Sequence, residues 1–478
     1  MKMLIAGQFV DSVLGHSFPV HNPATGEVID SVPQAGPGDV SRAIASARKG
    51  RDVMAALPAH ERSSILRKAA DLIGTHLENL SHLLTRENGK TIRQCRAEVD
   101  RTRRLFEDFA EEAKRIRGDY LPMDGVPGLE RMIAYTVRQP VGIVFGIVPF
   151  NYPVELFAHK IPGAIAAGCA VIVKVPELCP LALLRLGEIM LEAGMPGDGM
   201  QMLTGYPQEM GDELLVSPDI RMISFTGSVA TAKFIASKAA GSLKKLAFEL
   251  GGTDAMIVME DADIGAAADA VVDGRLTNGA GQICCAVKRV LVQDSIYQKF
   301  LHALLERRDR IKMGDPNSEE TNLGPLISAA AADKVDAQVQ QSIQMGARCV
   351  AGGKRIEPNF YEPTILVDVT PDMPVMKDEV FGPVAPLLAF SDADQAVSIA
   401  NDSPYGLQSS VFSSNIGTAL KLAHRLEVGG VVINGTGAFR PGIVPFGGAK
   451  QSGIGRESIV ETVRDMTDLK TIVINEAL

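Results

Sequence analysis

The sequence has no apolar run as long as the roughly 18 residues that a membrane-spanning helix needs. The best candidates are the segments VGIVFGIVPF and AIAAGCAVIVKV, which are shorter and contain proline or lysine. The N-terminal segment MKMLIAGQFVDS has an apolar stretch too short for the core of a signal peptide. We therefore expect a cytoplasmic protein with no membrane partner.

Cysteine and histidine are also sparse. The 6 cysteines and 8 histidines form no CxxC pair, no Cys–His ligand spacing and no HExxH motif. Because these spacings are the usual signs of metal sites, we predict that no metal is bound. A long chain with so few cysteines and no export signal does not need disulfides for its stability.

The chain has no excess of basic residues. Its 48 lysines and arginines are outnumbered by 57 aspartates and glutamates, which gives a net charge of −9 with both signs spread along the sequence. A nucleic-acid-binding surface would show a basic patch, so we expect no nucleic-acid partner. The 478 residues, 46% of them apolar, are enough for about three domains, or for two large domains with an appendage.

Residues 141–250 alternate short apolar runs with amphipathic helical patterns. This alternation is typical of βαβ units, which build a parallel sheet that is buried on both faces. Ligands bind such doubly wound sheets beyond the carboxyl ends of the strands. The sequence predicts strands at 141–150, 169–175, 200–203, 221–225 and 245–250, and helices at 153–167, 180–193, 208–216 and 229–240.

A second α/β pattern follows, and it includes a predicted helix at 262–276. Residues 38–117 are typical of long helices, whereas 119–138 and 467–475 are extended segments that could pair as an arm outside both domains. We therefore predict an α/β protein with two doubly wound α/β domains and a β-strand arm. The predicted domains are 1–118 with 139–250, then 251–447, and the predicted arm is 119–138 with 448–478.

Two adjacent cysteines, Cys284 and Cys285, follow a glycine-rich loop that contains Gly279 and Gly281. Glycine lets a backbone approach a ligand closely, so the loop favours a reactive cysteine. The alternative is that both cysteines are small buried hydrophobic residues, which is the usual role of a free cysteine. The residues alone do not choose between the two thiols.

Two polar residues stand at the ends of predicted strands. Glu249 is flanked by apolar residues, and burial there would raise its pKa so that it could accept a proton near neutral pH; the alternative is an ion-paired or exposed glutamate. Asn151 follows the first strand, where dinucleotide-binding enzymes usually carry the GxGxxG motif that this chain lacks. Its amide could donate to a developing oxyanion, or it could cap the next helix in an Asx-turn.

Three further motifs lie at predicted strand ends or in loops. Lys174 and Glu177 follow the second strand and could both face a ribose, although surface charges in a loop are the alternative. Ser224–Ser228 joins a strand to a helix and could lie under a phosphate or a nicotinamide. Glu379 begins the segment EVFGP. Each of these motifs, taken alone, fits more than one role.

Together and in this order, PFNYP, VKVPE, FTGS, FELGG, GQICC and EVFGP resemble the signature motifs of the aldehyde dehydrogenase superfamily. The resemblance runs from NPATG at residues 22–26 to PFGG at 445–448, so it covers essentially the whole chain. FELGG and GQxC together are specific to that family. The resemblance implies a cofactor-binding domain, a catalytic domain that carries the nucleophile, and an oligomerisation arm.

The resemblance also implies catalytic roles. Cys284 matches the nucleophile, with Cys285 as its neighbour, and Asn151 matches the oxyanion donor. Glu249 matches the general base. In such an enzyme the cysteine thiolate forms a thiohemiacetal with the aldehyde, NAD(P) is reduced, and water activated by Glu249 hydrolyses the remaining thioester to the carboxylic acid.

The cofactor-binding residues follow from the same motifs. Lys174 and Glu177 match residues on the adenosine ribose, and Glu379 matches a residue on the nicotinamide ribose. Two departures from the family pattern are Ala232, commonly glycine, and Thr253, commonly lysine; neither replaces a reacting group. The other implied cofactor contacts are Phe150, Gly227, Ser228, Leu250 and Phe381.

Other functions stay open at this point. A coenzyme A-acylating enzyme on the same fold would need no base for water, so Glu249 argues against it. A thiol hydrolase would not need the ribose-binding pattern. A non-catalytic binding protein would be free to lose Cys284, Glu249 and Asn151, all of which are present.

The expected substrate is a small aldehyde with one acidic group. The chain looks most like the branch with non-phosphorylating glyceraldehyde-3-phosphate and phosphonoacetaldehyde dehydrogenases, and Arg101 and Arg440 match anion-binding arginines of that branch. Ile283 stands where the branch has arginine, and Tyr152 is a further expected substrate contact. The alternative for each arginine is a surface ion pair.

We also expect NAD to be preferred over NADP, and the protein to form a homo-dimer or tetramer. A carboxylate at Glu177 would accept hydrogen bonds from ribose hydroxyls and repel a 2′-phosphate. An arm whose strand edge is unpaired is expected to pair with another subunit, and family members are oligomers.

Overall fold

The computed structural model of the chain describes residues 1–356 and 358–475; residues 476–478 of the predicted arm lie outside the described residues. It contains two large sheets flanked by helices and a smaller three-stranded sheet. The helices are α1 (Pro37–Ala56), α2 (Ala59–Thr75), α3 (Leu77–Asn88), α4 (Ile92–Glu112), α5 (Pro153–Ala167), α6 (Leu181–Glu192), α7 (Pro207–Met210), α8 (Glu213–Val216), α9 (Val229–Ala239), α10 (Ile264–Val271), α11 (Tyr297–Arg308), α12 (Ala329–Gln344), α13 (Pro374–Lys377), α14 (Ala393–Asn401), α15 (Ile416–Arg425) and α16 (Ile459–Asp465).

The strands range from two to eight residues in length. In chain order they are β1 (Met3–Ile5), β2 (Gln8–Val10), β3 (Ser17–His21), β4 (Val28–Pro33), β5 (Tyr120–Leu121), β6 (Ile133–Pro140), β7 (Ile143–Ile147), β8 (Ala170–Lys174), β9 (Met200–Leu203), β10 (Ile220–Gly227), β11 (Lys245–Leu250), β12 (Ala255–Val258), β13 (Arg289–Gln293), β14 (Arg348–Ala351), β15 (Arg355–Ile356), β16 (Phe360–Tyr361), β17 (Thr364–Val367), β18 (Val384–Phe390), β19 (Tyr405–Gly406), β20 (Gln408–Phe412), β21 (Gly430–Ile433), β22 (Ala449–Lys450), β23 (Gly453–Ile454) and β24 (Thr467–Ile474).

The first large sheet has the strand order β2-β1-β9-β8-β7-β10-β11-β23. Its five central strands, from β9 to β11, are parallel and almost wholly buried, as expected for a sheet covered on both faces. Parallel strands end at the same edge of a sheet, so the last residues of β7, β8, β10 and β11 lie along one edge. Those residues are Ile147, Lys174, Gly227 and Leu250.

The second large sheet has the order β14-β17-β18-β13-β12-β20-β21 and is parallel except at its edge strand β14. Strand β13 begins five residues after Cys284, so the loop that enters β13 carries the cysteine doublet. Because β12 follows β11 directly, the chain passes from the first sheet to the second through Gly251–Asp254.

The third sheet is antiparallel, with the order β24-β6-β5. Strand β24 pairs with β6 over eight residues, from Thr467 opposite Pro140 to Ile474 opposite Ile133. The predicted pairing of two extended segments distant in sequence is therefore confirmed. Large apolar side chains on this arm are exposed, among them Leu469 and Val473.

The structure confirms the predicted α/β class, and three elements match the prediction residue for residue: α5, β9 and β11. The predicted helix 208–216 is instead two short helices, because Gly211 between them adopts a φ of +74°. The predicted helix 262–276 is α-helical only as far as Val271, and a π-helical turn, Val272–Thr277, follows it.

The C-terminal boundary also differs from the predicted arm of 448–478. Strand β23 pairs with β11 and covers the open edge of the first large sheet, and helix α16 packs against α5. An uncovered sheet edge favours aggregation, which gives a physical reason for this placement. The part of the C-terminal segment that joins the three-stranded arm is therefore β24.

No helix within residues 1–356 and 358–475 combines the length and the apolar character that crossing a membrane requires.

Candidate active site

Two cavities meet at Cys284 and Asn151. The first, which we call the arginine cavity, has a volume of about 370 Å³, and the second, the sheet-end cavity, has a volume of about 340 Å³. Groups bound in the two cavities would therefore approach the same thiol from two sides. The arginine cavity is also lined by the predicted substrate residues Arg101, Tyr152, Ile283 and Arg440. The sheet-end cavity is also lined by Glu249 and by the predicted cofactor residues Phe150, Gly227, Ser228, Leu250, Glu379 and Phe381.

The loop that carries Cys284 has an irregular backbone. Three consecutive residues after the π-helical turn, Gly279, Ala280 and Gly281, have φ between +50° and +70°. A Cβ atom at Gly281 would lie 2.4 Å from the carbonyl oxygen of Gly382, so no larger residue fits there without movement. The buried guanidinium of Arg275 donates to the carbonyl oxygens of Gly281, Val380 and Val384 and joins this loop to the segment around Phe381.

The thiol of Cys284 is easier to ionise than an ordinary cysteine. A hydrogen bond from the Cys285 thiol, together with the positive charges of Arg440 and Lys288, lowers the pKa of Cys284 to about 7 against the opposing effect of burial. The ammonium of Lys288 also donates to the backbone carbonyl of Cys284 and, at 2.6 Å, to Oε1 of Glu379. A substantial fraction of Cys284 is therefore thiolate at neutral pH.

Asn151 lies at the start of helix α5, and its side chain is turned toward the cysteine loop. Its Nδ2 donates to the carbonyl oxygen of Gln282 at 3.0 Å. Tyr152 is the N-cap of α5 and makes no side-chain capping bond, so the Asx-turn alternative for Asn151 does not describe this helix. The amide is buried and points toward the backbone next to Cys284.

Glu249 is buried at the end of β11, with 2% of its surface exposed, and its Oε2 has no hydrogen-bond partner among the residues that the structure describes. Burial, followed by the nearby negative charge of Glu457, raises the pKa of Glu249 well above its usual value. Its Oε1 lies beside Gly447, where a Cβ atom would be 2.8 Å away. Glu249 is therefore the buried carboxyl group with raised proton affinity that the sequence predicts.

A second buried carboxylate next to Glu249 is fully compensated. Glu457 accepts from the ammonium of Lys160 and from the guanidinium of Arg440. Burial alone would raise the pKa of Glu457, but these two cations lower it to about 2. Sequence reasoning missed Lys160 and Glu457, although a lysine in the largely apolar helix α5 is a signal that could have identified Lys160.

The predicted substrate arginines both have carboxylate partners. Arg101 forms an ion pair with Glu155, 2.8 Å between Nη2 and Oε2, on the wall of the arginine cavity. Arg440 binds Glu457, and its guanidinium lies 4.2 Å from the centre of the Phe446 ring. The buried Nε of Arg440 has no hydrogen-bond partner within the described residues, so this arginine keeps an unused donor.

The predicted cofactor residues divide into two groups. Lys174 and Glu177 form an ion pair with each other at the end of β8, and neither is among the residues that line the two cavities. Glu379 accepts from the backbone N–H of Gly252, and Phe381 packs edge-on against Phe150 with 6.0 Å between ring centres. The structure therefore brings Glu379 and Phe381, but not Lys174 and Glu177, into the lining beside Cys284.

Within residues 1–356 and 358–475, no group of three or more histidine, cysteine, aspartate or glutamate side chains is arranged to hold a metal ion.

Comparison with known proteins identifies the family. The model of the aldehyde dehydrogenase family matches residues 9–472. The chain is 40% identical over 437 residues to 3-sulfolactaldehyde dehydrogenase of Priestia aryabhattai, covering 91% of this chain and 90% of that protein. It is 39% identical over 475 residues to the mitochondrial succinate-semialdehyde dehydrogenase of Arabidopsis thaliana, covering 99% and 89%. The crystal structure of an NADP-dependent enzyme of E. coli has a TM-score of 0.96 at 35% identity, covering 99% and 98%.

The chain belongs to the aldehyde dehydrogenase family. It is an NAD(P)-dependent enzyme that oxidises an aldehyde to a carboxylic acid, which confirms the resemblance found in the sequence. The two cavities that meet at one cysteine are consistent with this reaction, because both the thiol sulfur and the nicotinamide must reach the carbonyl carbon of the aldehyde.

The ionisation of Cys284 can be tested by alkylation. Because only the thiolate reacts and its pKa is about 7, we expect the rate of modification by iodoacetamide to rise with pH through a midpoint near 7. Replacing Cys285 by alanine removes the hydrogen bond that stabilises the thiolate, so the midpoint should move to higher pH. Mass spectrometry identifies the modified residue. A midpoint that Cys285→Ala leaves unchanged would show that Cys285 does not stabilise the thiolate.

Proposed function

We propose that Cys284 is the nucleophile that attacks the aldehyde carbon. The observation that carries this proposal is its position at the junction of the arginine cavity and the sheet-end cavity. Its lowered pKa supports the same role, because the thiolate is the nucleophilic form. Cys285, which is buried and has a raised pKa, is the neighbouring donor rather than the nucleophile.

The attack turns the aldehyde oxygen into an oxyanion, which needs donors. Nδ2 of Asn151 has two hydrogens, and one of them is used by the carbonyl of Gln282. The other is available to the oxyanion together with the backbone N–H of Cys284. Loss of one such donor typically slows acyl transfer by about 10²–10³.

The sheet-end cavity would hold the nicotinamide end of a dinucleotide, which accepts the hydride when bound. Gly227 and Ser228 stand at the N-terminus of α9, where backbone N–H groups favour phosphate. In the described part of the chain, the buried hydroxyl of Thr226 has no hydrogen-bond partner. We propose that Glu379, Phe381, Phe150 and Leu250 contact the nicotinamide half. Lys174 and Glu177 would contact the adenosine ribose beyond the cavity.

Oxidation leaves an acyl group on the sulfur of Cys284 as a thioester. We propose that Glu249 removes a proton from a water molecule as the water oxygen bonds to the acyl carbon. The carbon–sulfur bond then breaks, which releases the carboxylic acid and the Cys284 thiolate. The raised pKa of Glu249 makes it a stronger base than an exposed carboxylate. A buried base beside the nucleophile favours hydrolysis over transfer of the acyl group to coenzyme A.

The proposed substrate is a small aldehyde with one acidic group. Arg440 and Arg101 both line the arginine cavity, and the buried Nε of Arg440 has no hydrogen-bond partner within the described residues. Arginine suits carboxylate, sulfonate and phosphate groups because its donors are arranged as a fork. The relatives named for 3-sulfolactaldehyde and succinate semialdehyde support this class, since both compounds join an aldehyde to an acidic group.

We propose that NAD is preferred over NADP. A carboxylate at Glu177 would repel the 2′-phosphate of NADP, and its ion pair with Lys174 holds it at the end of β8. The E. coli enzyme with the same fold is NADP-dependent and the aldehyde dehydrogenase of Sinorhizobium meliloti is NAD-dependent, so the family contains both specificities. The preference in this chain therefore depends on its own residues around the ribose.

We also propose which domain binds the cofactor and which carries the nucleophile. Residues 1–118 and 139–250 would bind the cofactor, and 251–447 would carry the nucleophile. The exposed apolar side chains of the arm, including Leu469 and Val473, favour assembly into a homo-dimer or tetramer. The cytoplasmic location expected from the sequence stays a prediction.

The two catalytic roles predict different kinetics. Cys284→Ala should abolish NADH formation while NAD still binds, whereas Cys285→Ala should keep most activity at alkaline pH, where the Cys284 thiol ionises without help. Glu249→Gln should give a burst of NADH followed by slow turnover, because the thioester forms but is not hydrolysed. Stopped-flow absorbance measures both phases. Loss of the burst itself in Glu249→Gln would mean that Glu249 acts before the thioester forms.

Substrate selection can be tested with succinic semialdehyde and the neutral aldehyde butanal. We expect a higher specificity constant for the acidic aldehyde, and Arg440→Met should reduce that ratio about tenfold, equivalent to ~1.4 kcal/mol. The ratio cancels any general effect of losing the ion pair with Glu457. Arg104→Met is the matched control, because Arg104 pairs with Asp100 on α4 and does not line the cavity. Equal specificity constants for the two aldehydes in the native enzyme would overturn the proposed substrate class.

Cofactor selection can be tested at Glu177. We expect NAD to be preferred by about tenfold or more in specificity constant, equivalent to ~1.4 kcal/mol. Glu177→Ser should narrow that ratio, mainly through tighter NADP binding, because the repulsion of the 2′-phosphate is removed. A native enzyme that uses NADP as well as NAD would show that Glu177 does not act on the ribose in this way.

A further inference from the structure

A buried lysine lies directly behind Asn151. Lys90 follows the turn at Gly89 that ends helix α3, and only 3% of its surface is exposed. Its ammonium donates to the backbone carbonyl of Asn151 at 2.7 Å and lies 3.8 Å from the centre of the Tyr152 ring. The third partner of the same ammonium is the carboxylate of Glu98.

Glu98 connects this lysine to the first turn of helix α5. It is fully buried on α4, and its Oε1 accepts from the backbone N–H groups of Val154 and Glu155 at 3.2 and 3.3 Å. The first N–H groups of a helix have no partner within the helix, and a carboxylate there is favourable. The pair Lys90–Glu98 therefore contacts the segment Asn151–Glu155 at four places. Lys90 contacts the first carbonyl and the tyrosine ring, and Glu98 contacts the last two N–H groups.

The neighbouring residue Asn88 extends the same attachment by one residue. Its Nδ2 donates to the carbonyl oxygen of Phe150 at 2.6 Å. Two successive carbonyl groups before α5 are thus fixed by the turn Asn88–Lys90. The side-chain amide of Asn151 is held by the carbonyl of Gln282. Both the backbone and the side chain of Asn151 are therefore fixed by hydrogen bonds.

Stability alone does not explain a buried ion pair at this position. A buried ion pair is often no more stabilising than apolar side chains of similar volume, because both charges must be removed from water. An oxyanion donor, in contrast, must be held to within about 0.5 Å, and a misplacement of about 1 Å can slow a reaction about 10²-fold. Lys90 binds the carbonyl of Asn151 directly, and Glu98 fixes both Lys90 and the first turn of helix α5, which follows Asn151.

We propose that Lys90 and Glu98 are positioning residues that hold Asn151 in place to bind the oxyanion when Cys284 attacks the aldehyde. This proposal rests on the role of Asn151 in the proposed function. It assigns to the buried pair an effect on the rate of acylation, in addition to any effect on stability. Lys90 also holds Tyr152, which lines the arginine cavity beside Asn151.

The first experiment measures the burst rate in Lys90→Met, and it and the comparisons below use the Glu249→Gln background, in which the proposed function predicts a burst. We expect the first-order rate of the NADH burst to fall about 10²-fold, with the dissociation constant of NAD unchanged and with Lys90→Arg partly restoring the rate. A first-order rate constant does not depend on how much of the protein is folded, so a purely structural role would reduce the burst amplitude only. An unchanged burst rate in Lys90→Met would overturn the proposal.

Lys244→Met is the matched control. Lys244 is also buried and also donates to two backbone carbonyls, those of Ser217 and Ile220, but it precedes β11 and so lies at the opposite end of the strand from Glu249. We expect Lys244→Met to lower thermal stability without lowering the burst rate. If Lys90→Met leaves too little folded protein, the double variant Lys90→Met with Glu98→Gln removes both charges together and should show the same slow burst.

The second experiment is a double-mutant cycle with Asn151→Ala. If Lys90 acts through Asn151, adding Lys90→Met to Asn151→Ala should slow the burst by no more than about twofold further. Multiplicative effects of the two substitutions would overturn the positioning role while leaving the proposed function intact. A normal burst rate in Asn151→Ala alone would instead overturn the role of Asn151, and the proposal about Lys90 with it.

Discussion

The centre of this protein depends on compensating charges that are buried next to a reactive thiol. An uncompensated buried charge costs several kcal/mol, so each ionised group near Cys284 needs a partner. Glu457 has Lys160 and Arg440, and Lys288 has a carboxylate partner as well as the backbone carbonyl of Cys284. These pairs allow a thiol and a carboxyl group of unusual proton affinity to be held close together at the junction of the two cavities.

The same requirement explains why the junction is assembled from distant parts of the chain. The end of the first sheet supplies Glu249, and the loop before β13 in the second sheet supplies Cys284. The C-terminal segment supplies Glu457, whose backbone pairs with Phe446. A site between two sheets can bind a different group from each side. The oxidation needs such a site, because the nicotinamide must lie next to the substrate carbon that gives up the hydride.

Local signals were enough to predict most of the fold, and the series of motifs predicted residues that line the two cavities. Helix α5 matches its prediction because its apolar pattern is bounded by Pro153 and by Gly168, which has a φ of +86°. The motifs around Cys284, Glu249 and Asn151 identified groups that line the cavities. The compensating partners were not predicted, because Lys160 and Glu457 are 297 positions apart and no periodicity connects them. Lys90 and its contact to the Asn151 carbonyl escaped prediction for the same reason.

The electrostatics of the junction also link the proton affinity of Glu249 to the charge on the Cys284 sulfur. Burial and the charge of Glu457 raise the pKa of Glu249, and the negative charge of the Cys284 thiolate raises it further. The thiolate therefore disfavours an ionised Glu249 before the aldehyde is attacked. Once the sulfur is acylated its charge is lost, and Glu249 becomes easier to ionise while Arg440 and Lys160 still favour its negative form. Formation of the thioester thus increases the basic fraction of Glu249 at the step in which water must be activated.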